Sequence, residues 1–193
     1  FFIPPDSPGI FPVGRHLQSA GTNTIRDQLT IGGIQGPDAV GLPTIEGTYE
    51  LSGTGTLTVG RFGVGVEKIG AGGDGLFDQS GGSHTVDGTL IVAEQDGSEG
   101  GYRLSDGSLN VEVVEIVGAS GSAEFDQSGG TNTTTQLILG QSATGIGSYT
   151  LTGTGELVTS LTKISGNGTG QLVQDSGTHR TGSLIVTGFG LEA

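Results

Sequence analysis

The sequence predicts an all-β fold, a single-stranded parallel β-helix (β-solenoid), and three observations carry that prediction. The first is an internal repeat in two forms. A Phe form, Phe125-Asp126-Gln127-Ser128-Gly129-Gly130, returns as Phe77-Asp78-Gln79-Ser80-Gly81-Gly82 and more loosely as Leu172-Val173-Gln174-Asp175-Ser176-Gly177. A Tyr form, Tyr149-Thr150-Leu151-Thr152-Gly153, returns as Tyr49-Glu50-Leu51-Ser52-Gly53 and Tyr102-Arg103-Leu104-Ser105-Asp106-Gly107. Tyr102 to Tyr149 and Gln127 to Gln174 both span 47 positions. A unit of roughly 24 residues is therefore used in alternating pairs, and periods of this size mark solenoids and arrays. The second observation is period-two alternation in short runs such as Leu57-Thr58-Val59, with Gly, Asn, Asp and Ser clustered between runs. Those are strand and turn signals. The third is that no sustained 3.6-residue pattern or helix cap occurs.

Composition agrees with this class. Forty glycines lack the strict third-position period of collagen. An apolar fraction of 32% is low for a compact globule, but a narrow solenoid needs only one inward residue in two. Seven basic against twenty acidic residues give a net charge of −13. That surface repels nucleic acid and anionic membranes, so neither is expected as a partner. It is expected to collect calcium loosely, oxygen ligands suiting that ion. With no cysteine, disulfides, thiol nucleophiles and cysteine metal sites are excluded. No signal peptide or membrane-spanning stretch is legible, and a start at Phe1-Phe2-Ile3-Pro4 reads as a processed end.

Taken in order, residues 1–15 read as an extended N-terminal arm. Phe1, Phe2, Ile3, Ile10, Phe11 and Val13 are apolar, and Pro4, Pro5, Pro8 and Pro12 between them forbid a helix interior or a central strand. The β-helix domain is expected over 16–193. Its first coil starts at His16, and an insertion over 34–46 carries Pro37 and Pro43. Further coils follow near 47–72, 73–96, 97–120, 121–144, 145–169 and 170–193, making about seven of ~24 residues, each of three short strands and three turns. At about 4.8 Å per coil the rod is roughly 34 Å long. Right-handed winding is expected from the rule for parallel crossovers.

Stacking turns the repeat into columns. One reads His16, Tyr49, Phe77, Tyr102, Phe125, Tyr149, Leu172; two residues on, another reads Gln18, Leu51, Gln79, Leu104, Gln127, Leu151, Gln174. Both should point inward. An inward Gln must find amide partners, with turn backbone the nearest source, because an unpaired buried amide costs about 1–3 kcal/mol. The Gln/Leu alternation implies two kinds of coil, and this is packing rather than a catalytic site.

Candidate chemistry is sparse. An outward column places Arg103 between Asp78 and Asp126, two coils apart. Two carboxylates at such a separation suit an inverting glycoside hydrolase, but Arg103 is expected to bridge both as a charge ladder, a normal strand-stabilising device. His84 and His179 share a column with Asn23 and Asn132, too far apart to share a metal, and are expected in turns. Gly72-Gly73-Asp74-Gly75-Leu76-Phe77 is similar to a calcium-binding nonapeptide but has Phe77 where Asp is required. The same loop is no phosphate cradle, since no Lys and no helix follow. Thr22-Asn23-Thr24, Ser83-His84-Thr85 and Thr131-Asn132-Thr133 are similar to ice-binding Thr rows, but the rows are interrupted. Asn132-Thr133-Thr134 and Asn167-Gly168-Thr169 fit the glycosylation triplet. No enzyme, cofactor or resident metal is expected.

The ends carry the functional expectation. A parallel β-helix has an open edge at each end, and solenoids ordinarily finish in polar caps. Here the front bears Phe1, Phe2, Ile3, Ile10, Phe11 and Val13, and the back bears Leu184, Val186, Phe189 and Leu191. These residues are expected to form a subunit interface. Heterologous contact of unlike ends generates an open filament, and an arm docking on a neighbour would add main-chain bonds. The alternative is a monomeric surface adhesin or carbohydrate-binding β-helix, with the arm as its own cap.

The repeat, carried by Phe125-Asp126-Gln127-Ser128-Gly129-Gly130-Thr131-Asn132 and Leu137-Ile138-Leu139-Gly140, resembles the tandem repeats of bacterial surface β-helix proteins. These are the autotransporter passengers and the exosortase-sorted (PEP-CTERM) proteins. The resemblance spans roughly residues 16–190, implies an extracellular or cell-surface location, and carries over no catalytic residue. With no membrane β-barrel or sorting tail after Ala193, assembly through the chain's own ends is the expectation.

Overall fold

The computed structural model describes residues 13–33 and 46–188. These form fifteen strands and no helix. The first layer holds β1 (Val13–Gln18), β2 (Thr22–Ile25) and β3 (Gln28–Ile31); the second holds β4 (Glu46–Leu51), β5 (Thr56–Val59) and β6 (Gly65–Ile69). Above them the strands run together around the corners. β7 (Asp74–Val86) and β8 (Gly88–Val92) make the third layer, and β9 (Glu99–Val117) alone makes the fourth. The remaining layers are β10 (Ser122–Gln127) with β11 (Thr131–Leu139), β12 (Ile146–Leu151) with β13 (Glu156–Ile164), and β14 (Thr169–Gln174) with β15 (Thr178–Val186).

Every pairing between these strands is parallel. One face is the stack β1-β4-β7-β9-β10-β12-β14. Two further faces run beside it, from β2 and from β3, so the chain is a parallel β-solenoid of about six turns. β1 begins at Val13, in register with Glu46 of β4. Residues 13–15, assigned to the arm from its prolines, are therefore the start of the first strand. Glu46, placed in the insertion, opens β4; residues 34–45 and the arm residues 1–12 lie outside the described residues.

The register reproduces both expected inward columns. His16 pairs Tyr49, Tyr49 pairs Phe77, and the series continues through Tyr102, Phe125 and Tyr149 to Leu172. Because parallel strands repeat at about 4.8 Å, rings at one position must stack. From Tyr49 to Tyr149 successive centroids lie 4.5–5.0 Å apart with interplanar angles of 1–7°. The four rings from Phe77 to Tyr149 are wholly buried. Aliphatic columns fill the other corners, one running Ile31, Ile69, Val92, Val117, Leu139, Ile164 and Val186.

The glycine two residues before most of the aromatics sits where the chain re-enters the aromatic face against the layer below. A Cβ on Gly147 would lie 1.9 Å from the Val117 carbonyl oxygen, a collision only glycine avoids. Gly140, at φ +67°, turns the chain out of β11 in a conformation that penalises any side chain with a Cβ.

Removing a ring from the middle of this stack leaves a cavity between two others. Phe125→Ala is expected to lower stability by about 3–5 kcal/mol, read as a shift of the urea midpoint at unchanged slope.

Candidate functional site

The predicted interface residues fall at opposite ends of the rod. Val13 is 62% exposed in the first layer, and Leu184 and Val186 are 54% and 69% exposed in the last. Phe1, Phe2, Ile3, Ile10, Phe11, Phe189 and Leu191 lie outside the described residues. Leu17 and Ile185, not anticipated, extend the two apolar edges. Among the described residues β1, β2 and β3 pair only upward, and β14 and β15 only downward. Among the described residues each end thus presents strand edges without a paired neighbour beside apolar side chains, the arrangement that accepts another strand.

The lateral candidates resolve differently. Asp78, Arg103 and Asp126 do form one outward column, but the expected ladder is absent: Arg103 makes no ion pair with either carboxylate. The long guanidinium is exposed and stays in water, as an isolated surface pair gains little. Among the described residues the ion pairs are Arg15–Glu50, Lys68–Glu94 and Arg180–Glu156 on the surface, and Glu67 and His84 face each other within. Glu46, Asp74 and Glu99 stack on successive layers beside an open groove of about 520 Å³. Among the described residues no three acidic or histidine side chains converge on one point. In the loop that is similar to a calcium nonapeptide, Asp74 opens β7 and Phe77 belongs to the buried stack.

The histidines correct the sequence reading. His84 lies in β7, not in a turn, and is wholly buried. His179 lies in β15, half-buried. Their column runs Asn23, Leu57, His84, Leu109, Asn132, Leu157, His179. A further inward column, which the sequence reading missed, runs Leu29, Glu67, Leu90, Glu115, Leu137, Thr162, Leu184. The signal was present: Glu67, Glu115 and Thr162 recur at 48 and 47 positions. Two kinds of layer result. A Gln-type layer turns Gln and Asn or His inward; a Tyr-type layer turns Tyr and Glu or Thr inward.

Between layers these groups form one recurring network. The amide nitrogen of Gln79 donates to the carbonyls of Gly82 and Ser108, and that of Gln127 to those of Gly129, Gly130 and Glu156. Turn backbone was the expected partner. The amide oxygen then faces up and accepts from the phenol of the next layer: Tyr49 to Gln18 at 2.5 Å, Tyr102 to Gln79 and Tyr149 to Gln127 at 2.6 Å. Asn23 and Asn132 donate to the Tyr49 and Tyr149 hydroxyls at 3.2 and 3.1 Å. Burial holds the Tyr102 and Tyr149 hydroxyls well above the usual tyrosine value, with nearby glutamate charge adding to it. They therefore remain donors.

This geometry fixes a proton. The one hydrogen of Tyr102 is committed to Gln79, so His84 Nδ1, 2.9 Å from that hydroxyl, must carry the hydrogen of their contact. His84 Nε2 lies 2.8 Å from Glu67 Oε2, both side chains wholly buried. The two atoms lie close, but neither makes a hydrogen bond. Glu67 Oε1 accepts no hydrogen bond. The equivalent acid two layers up has no such partner: Glu115 faces Asn132, whose amide nitrogen donates to its two oxygens at 3.2 and 3.0 Å. An amide supplies no charge. Burial therefore raises the Glu115 carboxyl from 4.5 to about 7, opposed in part by the Asn132 hydrogen bond. At the last pair, Thr162 Oγ1 meets His179 Nε2 at 3.0 Å, and burial lowers the His179 pKa.

No family model matches the chain, and no curated protein or solved structure matches it.

Two outcomes follow from the network. Tyr102→Phe orphans Gln79 Oε1 and His84 Nδ1–H and is expected to cost about 1–3 kcal/mol for each group. In urea denaturation the double variant Tyr102→Phe/Gln79→Leu should lose less than the sum of the single changes. Glu115 makes stability depend on pH. The folded protein holds the extra proton between pH 4.5 and about 7, so stability is full at acid pH and declines as pH rises through that window. The loss is on the order of 3 kcal/mol. Glu115→Gln should flatten this decline, and Asn132→His, which recreates the Glu67–His84 pairing, should reduce it.

Proposed function

We propose that this chain is a structural subunit of an extracellular filament that assembles end to end by β-solenoid stacking. The observation that supports this reading is the state of the two ends. Inward columns run to both terminal layers of the described residues, where Val13, Leu17, Leu184, Ile185 and Val186 stand exposed on unpaired strand edges. A solenoid with apolar, unpaired edges invites heterologous contact, and such contact propagates when its rotation does not close. On this reading the partner is the chain itself, with the apolar arm of residues 1–12 docking on a neighbour. The rod is on this reading a structural element, its interior filled by packing and by the hydrogen-bonded network. The resemblance to bacterial surface β-helix repeats agrees with a cell-surface setting.

One lateral feature favours adhesion as a second reading. Phe62 is 85% exposed on the loop after β5 at φ +60°, with the Arg61 guanidinium 4.7 Å above its ring. A bulky residue held exposed in the left-handed region stores strain and offers an aromatic contact on the flank of the rod.

Negative-stain microscopy and sedimentation of the full chain test the first reading. Filaments are expected from the full chain, and single rods from a chain lacking residues 1–12 or bearing Val186→Lys, each with an unchanged β-sheet circular dichroism spectrum. Single rods from the full chain would overturn filament assembly and leave the Phe62 flank as the working surface.

A further inference from the structure

Resting on the reading that the ends stack, the residues of the last layer specify what they accept. Within the rod each Gln-type layer is covered by a Tyr-type layer. At all three such contacts the phenol of the upper layer donates to the Gln amide oxygen below, at 2.5–2.6 Å. Leucines of the upper layer cover the Gln and the Asn or His: Leu104 lies over Gln79 and Leu109 over His84.

The last layer repeats the lower half of this contact. It carries Leu172, Gln174 and His179 at the three positions, and Gln174 already donates its amide nitrogen to the Gly177 carbonyl. The Gln174 amide is thereby oriented as in the interior, with its oxygen left for a phenol. Gln174 is exposed, and nothing among the described residues covers it. The first layer, with Gln18 and Asn23, is Gln-type as well. A second copy stacked in register would place Gln18 on Gln174 and Asn23 on His179, like on like, with no phenol between them. The tyrosines cannot supply one, since Tyr49, Tyr102 and Tyr149 are all interior.

We propose that the C-terminal end is a docking surface for a Tyr-type coil, the end of a partner β-solenoid. Its phenol donates to Gln174 Oε1 above Leu172, and its leucines cover Gln174 and His179. Direct contact of the last layer with the first leaves Gln174 Oε1 without a phenol, so it is the weaker contact between copies and an interposed Tyr-type coil the stronger. Gln174 and His179 are the residues that set this specificity.

The full chain extended after Ala193 by a copy of residues 147–164 tests it. This places a tyrosine ten positions after Val186, as Tyr149 stands ten after Leu139. A copy of residues 123–139 adds a Gln-type coil instead, and a third version carries Phe for the added tyrosine. The Tyr-type extension is expected to raise the melting temperature above that of the Gln-type extension, with the Phe version falling between. It should also assemble at a concentration at least tenfold lower than the native chain, since its two ends are then complementary. Equal melting temperatures for the Tyr-type and Gln-type extensions, or for the Tyr and Phe versions, would overturn the proposal. Native chains that assemble as readily as the Tyr-extended ones would overturn the interposed coil while leaving filament formation intact. Assembly by none of them would overturn filament formation, and the melting temperatures would still decide the docking surface.

Discussion

In-register parallel stacking governs this molecule. Each residue has the equivalent residue of the next layer about 4.8 Å above it, so every side chain turned inward is confronted by its own column. Apolar columns satisfy that condition trivially and aromatic columns satisfy it by stacking. A column of inward amides would have to satisfy its groups from backbone and from itself. The chain resolves the difficulty by alternation: the amide nitrogens of Gln18, Gln79 and Gln127 donate to carbonyls of their own corner and of the layer above, and their oxygens accept a phenol from the layer above. The repeat of 47 residues is therefore a chemical unit as well as a length. One coil asks for a hydrogen and the next supplies it.

The same position in successive units shows how a buried carboxyl is tolerated. Where the neighbour is His84, Glu67 has an imidazole 2.8 Å away. Where it is Asn132, Glu115 has hydrogen bonds without charge, and its carboxyl titrates near 7. Where the acid is replaced by Thr162, the problem disappears and His179 is left with a hydroxyl. Uncompensated charge in a dry interior is costly, and three alternate layers meet that cost in three ways at one site.

Much of this frame was legible in the sequence. The aromatic and Gln/Leu columns, and the outward series through Asp78, Arg103 and Asp126, could be aligned because Phe-Asp-Gln-Ser-Gly-Gly and Tyr-x-Leu anchor the first face unambiguously. The third face has no such anchor. Glu67 and Glu115 sit within Val66-Glu67-Lys68-Ile69 and Val114-Glu115-Ile116, where strand alternation does not announce which side faces in. The corner before them varies in length, with a register shift between Thr134 and Gln136. His84 reads as a turn residue from the sequence, yet the strand runs on through the corner to Val86. The partners of the glutamine oxygen lay 22 to 31 positions away, beyond any local pattern. Arg103 shows the converse: column membership was right, and the ion pair inferred from it does not form.

The aromatic stack has an optical consequence. The protein has three tyrosines and no tryptophan, and all three tyrosines stand in one buried column, with Phe77 and Phe125 between them and each hydroxyl bonded to a glutamine. Its near-ultraviolet absorbance and emission therefore arise almost entirely from the axis of the rod. Light absorbed by one phenol has ordered rings above and below it, and a quencher dissolved in the surrounding water cannot reach the middle of the series. The intrinsic fluorescence of this protein is a gauge of whether its layers remain stacked, blind to the surface and to the loops.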